Sequence, residues 1–313
     1  MDDTQKLNEL LARVARIEEA VAQTSSQIGQ LAHAYNQGLQ ETFFSQATYL
    51  GDHRALTRLR SGQLIYVDTR SVDIGSHLMF GGKWEPHYTG AFERLLRPGN
   101  VVLDIGSNHG VYALLAAARV APNGHVYAFE ASRDFCELIR ASISVNGLDR
   151  LITLENRAVA DRAFETTLST DLQMSGGGHL VADGHAEPAA TSAHGIRSQT
   201  VKCIALDDYF SDPAQKVDVI KMDIEGAEGL ALKGMANLVG RSPSLRIMME
   251  FCPLMLSRFP HNAEFVIDFF KSGGFMCWTI NPDSSLAPAR WESLLAVPDA
   301  FQNVLIARSH PER

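Results

Sequence analysis

VVLDIGSNHG, Val101 to Gly110, decides the reading of this 313-residue chain. An aliphatic, β-branched run passes without a break into a turn holding two glycines, and a helical pattern follows at Val111–Arg119. A buried strand that turns directly into a helix on glycines brings bare backbone up to a ligand at the carboxyl end of a parallel sheet. Gly106 and Gly110 stand four apart, so the three-glycine G-x-G-x-x-G signature of a dinucleotide site is missing. Hydride-transfer enzymes lose ground on that count.

Beyond this segment, β-rich runs alternate with helical patterns. HVYAFE is followed by a helix near Ser132–Asn146 and then LITLENRAV. VDVIKMDI, LRIMMEFC, FMCWTI and NVLIAR come later, with helices near Ala227–Leu238 and Ala263–Ser272. The alternation predicts an α/β domain with a doubly wound, mostly parallel sheet covered by helices on both faces and antiparallel at its last edge. Upstream, LIYVDT (Leu64–Thr69) reads as a short strand and FGGKWEPHYTG (80–90) as a loop punctuated by glycine and proline. Thr170–Ser198 is rich in Gly, Ala, Ser and His and breaks the rhythm; it reads as an insertion, either a lid over the sheet's carboxyl edge or a disordered surface excursion.

The opening segment has its own period. Leu7, Val14, Val21, Ile28 and Tyr35 form one heptad series and Leu10, Ile17 and Leu31 the other, with Thr24 as the polar break. Sustained heptads predict a coiled coil and therefore a homo-oligomer; Arg13 and Glu18 fall at g and e positions, and β-branched a residues lean towards two strands, with a trimer still open. The alternative is an amphipathic helix folded back on its own domain. The expected organisation is a coiled-coil helix over 1–37, a connection over 38–80, and a catalytic domain over 81–313 with the insertion at about 170–198.

The composition, 45% hydrophobic and 20% charged, with no apolar run near the ~20 residues a bilayer span needs, predicts a protein without a transmembrane segment. The first residues, MDDTQKLNEL, lack the basic and apolar regions of a secretory signal, which places the expectation in the cytoplasm. A net charge of −8 gives no basic footprint for nucleic acid. Cys136, Cys203, Cys252 and Cys277 form no C-x-x-C pair and read as reduced structural thiols. His179, His185 and His194 match no standard metal spacing, so no metal site is assigned, although a divalent ion stays open as a cofactor.

The candidate cofactor residues follow from their places on the sheet. Asp104, inside the end of the first strand, can organise an ammonium directly or through water, and S-adenosylmethionine carries such a group whereas NAD does not. Gly106, Ser107, Asn108 and Gly110 form the turn. Glu130, twenty residues after Gly110, is spaced to accept from ribose hydroxyls, with Ala131 beside it. Ala158, in the Asn156–Val159 ending of the third strand, is placed for apolar contact with the adenine. Trp84 either covers the cofactor or pins the core, and Glu85 is placed to meet the cofactor's polar end.

The chain from about Gly81 to Glu250 resembles the FkbM family of methyltransferases. The resemblance rests on GGKWEP, VVLDIGSNHGVYALLAA, GHVYAFEAS, Asn146-Gly147-Leu148 and VDVIKMDIEGAEGLALKGM. It implies the class I methyltransferase fold, Rossmann-like with a seven-stranded sheet, and methylation of hydroxyl oxygens, often on sugars. Ser107 stands where the family commonly has alanine, and His109 where it has an apolar residue. The coiled coil and the insertion lie outside it.

In KMDIEGAE, Asp223 is the leading candidate for positioning the acceptor or the methionine. Glu225, Glu228 and Glu250 are placed to act as a base, to ligate a divalent ion, or simply to pair with helix N-termini. A sugar hydroxyl has a high pKa, so its proton must leave as the new bond forms. His109 can take that proton if its ring faces the acceptor; packing in the turn is the alternative. The expected function is an S-adenosylmethionine-dependent O-methyltransferase acting on a saccharide or glycoconjugate. The alternatives are a methyltransferase for a protein side chain or a small non-sugar metabolite, and a coiled-coil scaffold that only binds the cofactor.

Overall fold

A computed structural model describes residues 3–44, 47–181 and 195–311. The central sheet starts with β1 (Val101–Ile105), β2 (His125–Phe129) and β3 (Ile152–Glu155). It continues with β4 (Val219–Met222), β5 (Arg246–Phe251), β6 (Met276–Ile280), β7 (Leu286–Ala289) and β8 (Gln302–Ala307). The spatial order is β7-β6-β8-β5-β4-β1-β2-β3. Neighbours among β1 to β5 are parallel, and β8 runs antiparallel between β5 and β6. The chain therefore leaves β1 towards one edge and returns to β4 to build the other half, which opens a crevice between β1 and β4, the switch point where doubly wound sheets bind ligands.

The described residues give this sheet eight strands where seven were expected. The added strand is LAPA, which folds back on β6 as an edge. It escaped the sequence reading because it is short and holds a proline, which an edge strand tolerates. The apolar character of β1, interrupted by Asp104, is explained by burial on both faces. Val102 packs with Phe92, Leu114 and Ile143 on one side, and Leu103 packs with Met249 and Phe270 on the other.

Helices α1 (Asp3–Phe44), α2 (Ile74–Gly81), α3 (Pro86–Leu95), α4 (Val111–Val120) and α5 (Arg133–Val145) precede the second half of the sheet. The expected loop at 80–90 is instead the end of α2 and the start of α3, separated by a short turn. Gly82 caps α2 in the left-handed region at φ 60°, and Pro86 opens α3, where a missing N–H costs nothing.

Two expected boundaries also change. Residues 38–80, read as a connection, carry a three-stranded antiparallel sheet of Thr48–Gly51, Arg54–Arg58 and Leu64–Asp68. Ala55, Ile65 and Val67 are buried in the same core as α4, and Leu64 and Tyr66 donate backbone N–H to Asn146 and Ser142 at α5. The segment is thus part of the domain. The insertion expected over 170–198 sits between the arms of an antiparallel ribbon, Phe164–Asp171 against Ile196–Ile204, which also pairs with Ala158–Val159 and His179–Leu180. The ribbon's strands are rich in Thr and Ser and poor in aliphatic residues, which hid them. Residues 182–194 lie outside the described residues, and His185 and His194 with them.

The heptad segment is one continuous helix that runs to Phe44, past the expected boundary at residue 37. Val14, Ile17, Val21, Ile28 and Leu31 along its seam are exposed. They do not pack against the chain's own domain. Among the described residues no helix is long and apolar enough to cross a membrane.

Candidate active site

The turn after β1 works because of its glycines. Gly106 has φ +78°, and a Cβ there would lie 2.0 Å from the Asp223 carbonyl oxygen. Only glycine lets the ends of β1 and β4 come this close. The turn is fixed from the neighbouring strand end, because the Glu130 carboxylate accepts from the N–H groups of Asn108 and Ser132, each at 2.7 Å. Burial outweighs these bonds and raises the Glu130 carboxyl to about 7. Ser107 Oγ donates to the Asp104 backbone carbonyl at 2.9 Å.

A cavity of ≈ 90 Å³ lies against this turn. Of the expected cofactor residues, Gly106, Ser107, Asn108, Glu130, Ala131, Ala158 and Asp223 line it, and so does His109. Asp104, Gly110 and Glu85 do not. Gly110 instead packs under α5, where a Cβ would meet Ile139 at 3.1 Å. Trp84 is in the wall, partly buried, with an edge contact to His77.

Asp104 is fully buried, and neither carboxylate oxygen has a hydrogen-bond partner. Its nearest cation is Lys221, its register neighbour across β1 and β4, at 3.9 Å. Burial raises the Asp104 carboxyl above its ordinary value and Lys221 works against that. Lys221 donates to the Gly106 carbonyl at 2.9 Å, sits 3.6 Å from Asp223 and lies 5.1 Å above the Tyr112 ring. Burial disfavours its charge, but Asp223, Asp104, Glu85 and Glu130 outweigh burial and hold its pKa above the usual lysine value. Strand alternation already puts Lys221, Asp223 and Glu225 on one side, but that parity alone gives Lys221 no role.

Across the switch point the acids converge. The carboxylates of Asp223, Glu225 and Glu250 each offer an oxygen within 4.8 Å of the others. Burial and then mutual repulsion push Glu225 up to about 8 and Glu250 to about 9. Glu225 and Glu250 stand outside the cavity wall, on the far side of Asp223. Glu228 is buried and accepts from the Ile224 N–H, a helix-terminus pairing, with its carboxyl raised to about 7 mainly by burial. Glu85 accepts from Tyr112 at 3.2 Å and Asn303 at 3.4 Å, and burial raises it. A trio such as Asp223, Glu225 and Glu250 can share protons or hold a divalent ion.

His109 is a correction to the candidate base. It is completely buried, and Nε2 accepts from the Asp68 N–H at 3.2 Å, which leaves the proton on Nδ1 to donate to Asn108 Oδ1 at 2.5 Å. Burial lowers it to about 4. With both nitrogens engaged, its ring packs on Phe135 at 4.8 Å and has no free nitrogen for an acceptor's proton. The four cysteines are free and buried. Burial raises the thiols of Cys136, Cys203 and Cys277, as befits inert core residues. The cavity wall also holds residues that no local signal in the sequence tied to the turn: Ile74, Thr170, Ser175 and Gly176.

The cradle at Gly106 and the Glu130 carboxylate at the neighbouring strand end fit a cofactor with a ribose near Glu130, while Asp104 lies behind the cavity wall beside Lys221. Comparison with known proteins agrees with this geometry. The family model described as Methyltransferase FkbM domain matches residues 104–277, more than half of the chain. The chain is 30% identical over 142 residues to hexuronic acid methyltransferase AglP of Haloferax volcanii, covering 44% of this chain and 51% of that protein. It is 32% identical over 95 residues to a demethylmenaquinone methyltransferase of Symbiobacterium thermophilum, covering 30% and 38%. These matches span about half or less of the curated relatives' length. A solved FkbM methyltransferase from Methylobacillus flagellatus KT is similar at 12% identity and a TM-score of 0.40, over 75% of this chain and 60% of that one. At that score the likeness adds nothing to the strand order itself. With the Asp104 to Cys277 span matched as a whole, the chain belongs to the FkbM methyltransferase domain family.

Proposed function

We propose that this protein is an S-adenosylmethionine-dependent O-methyltransferase whose acceptor is a hydroxyl of a saccharide or glycoconjugate. The observation that carries the reading is the juxtaposition at the switch point. The glycine turn and Glu130 lie on one side, the carboxylate trio of Asp223, Glu225 and Glu250 on the other, and Asp223 borders the cavity. S-adenosylmethionine, when bound, supplies an electrophilic methyl on a positively charged sulfur.

The residues of the chain have two jobs. Gly106, Ser107, Asn108, Glu130, Ala131 and Ala158 hold and orient the nucleoside end, while Asp104 and Lys221 set the charge beneath the amino-acid end. Asp223 takes a hydrogen bond from the acceptor hydroxyl and draws its proton off as the oxygen attacks, while Glu225 and Glu250, whose raised carboxyls already hold protons near neutral pH, add no second base. Alignment in the site supplies much of the acceleration. Lys221 offers Asp223 a positive charge, so this reading routes no step through a metal.

The hexuronic acid relative supports a sugar acceptor, and the demethylmenaquinone relative supports the second reading, a small non-sugar metabolite. Incubation with S-adenosylmethionine labelled in the methyl group, against separate panels of glycans, proteins and small metabolites, tests both. Label in alkali-stable ether linkage on a glycan is the expected result. Label only on protein or on a small metabolite overturns the acceptor class, and no transfer with intact cofactor binding favours a binding-only scaffold.

A further inference from the structure

One wall of the cofactor cavity comes from a turn far from the chemistry in sequence, Met174–Gly178, through Ser175, Gly176 and Gly178. Asp73, at the start of α2, ties it down. Asp73 Oδ1 accepts from Ser71 Oγ at 2.7 Å and Ser175 Oγ at 3.1 Å, and Oδ2 accepts from the Gly176 N–H at 2.8 Å. The Ser71 and Ser175 hydroxyls are 2.9 Å apart and both are buried, and the Val72 N–H donates to the Gln173 carbonyl. Burial opposes ionisation of Asp73, but the bonds from Gly176, Ser71 and Ser175 hold it below the usual carboxylate range. From the other side, Asn108 Nδ2 donates to the Ser175 carbonyl at 2.9 Å. His109 and Glu130 hold Asn108 in place, its side chain and N–H respectively.

The turn is therefore fastened both to the segment that leads from the three-stranded sheet into α2 and to the cofactor turn itself. The cavity it helps to wall measures ≈ 90 Å³ and opens to solvent. Outward movement of a wall widens this site for a nucleoside carrying an amino acid. Gly106 and Glu130 follow directly on β1 and β2 and are tied to the sheet by backbone bonds, Gly106 N–H to the Phe129 carbonyl at 2.9 Å and Glu130 N–H to the Glu155 carbonyl at 3.0 Å, whereas the Met174–Gly178 turn is held mainly by side-chain hydrogen bonds.

We propose that Asp73 is a positioning residue that latches the Met174–Gly178 turn over the bound cofactor, with His109 and Asn108 as the second anchor. The latch rests on the cofactor reading above. It gives a role to a histidine at a position where the family resemblance implies an apolar residue, because the imidazole, with Nε2 held by the Asp68 N–H, donates from Nδ1 to Asn108 and so aims its amide at the turn.

The test measures association and dissociation rates of S-adenosylhomocysteine by rapid mixing and chase on wild type, Asp73→Ala, Asp73→Asn and Ser175→Ala, with the melting temperature of each. Opening the latch speeds both entry and exit. Dissociation is expected to rise about tenfold or more in Asp73→Ala, given the strength of charge-assisted bonds, with association also faster and partial rescue by Asp73→Asn. Ser175→Ala removes the turn's own hydroxyl, sits outside the core of the sheet and gives a smaller change of the same sign, which covers failure of Asp73→Ala to fold. Unchanged rates in the folded variants overturn the latch and leave the cofactor reading intact. Faster dissociation with slower association also overturns it, since these residues are then plain binding contacts. Wild type that binds no S-adenosylhomocysteine overturns the cofactor reading and the latch together.

Discussion

Asp223 stands where the cofactor cavity meets the carboxylate trio, and its replacement by asparagine separates two jobs. Asp223→Asn keeps the shape and removes the charge. Turnover is expected to fall by about 10² to 10⁴, the range for a general acid-base group, while cofactor affinity moves far less. Single-turnover rates and cofactor titration on the same variant decide it, and equal losses would make Asp223 a cofactor ligand. Glu130→Ala should weaken cofactor binding by about 1 to 3 kcal/mol by calorimetry, since it removes ribose acceptors and also frees the Asn108 and Ser132 N–H groups. Glu250 provides a pH test. Its folded pKa of about 9 lies above the ordinary 4.5, so the folded state holds the proton more tightly. Its contribution to stability is complete below about 4.5 and is lost as pH rises towards 9. Glu250→Gln cannot ionise, so its stability relative to wild type should climb across that window, by at least about 1 kcal/mol after allowing for screening. Denaturant melts at pH 5, 7 and 9 measure the gap, and a gap that stays flat with pH removes Glu250 from the cluster.

At the scale of elements, the β1-to-α4 turn is the part most sensitive to a single added carbon. Gly106→Ala combines a left-handed φ with a Cβ placed 2.0 Å from the Asp223 carbonyl, so β1 and β4 must separate or the turn must refold. Loss of cofactor binding and a stability cost of at least about 1 to 3 kcal/mol are expected, read by calorimetry and thermal melts. A variant that binds with wild-type affinity would show that the turn is not the cofactor cradle. The turn, β1 and α4 were all legible in VVLDIGSNHG because strand, turn and helix signals agree there. The neighbouring elements were not. FGGKWEPHYTG looks like a loop by composition, yet its glycines and proline mark where one helix stops and another starts. The Phe164–Asp171 and Ile196–Ile204 ribbon has almost no apolar alternation, because one face meets only a small core around Leu168, Leu180 and Phe259.

At the scale of the whole molecule, Val21, Ile28 and Leu31 along the seam of α1 are each more than 60% exposed, and the heptad spacing predicts a second copy of the helix as the partner. Deleting Met1 to Gln37 is expected to lower the assembly mass by light scattering while leaving a folded domain that binds cofactor, because Ala55, Ile65 and the rest of the core lie downstream. An unchanged mass would place the subunit interface on the domain itself.

Local periodicity determined a great deal by itself. It carried the parallel core of the sheet, the glycine turn and the existence of the first helix, though not its end at Phe44, since each is a pattern within one contiguous stretch. Only the tertiary structure decided what depends on residues brought together from far apart. It set the protonation of His109 through the Asp68 N–H, the convergence of Asp223, Glu225 and Glu250 from two strand ends, and the counter-charge from Lys221. It also closed the cavity with Ser175 and Asp73, residues 102 apart in the chain. The physical reason is that pKa values, orientation and closure are properties of the environment around a side chain, and folding, not sequence proximity, supplies that environment.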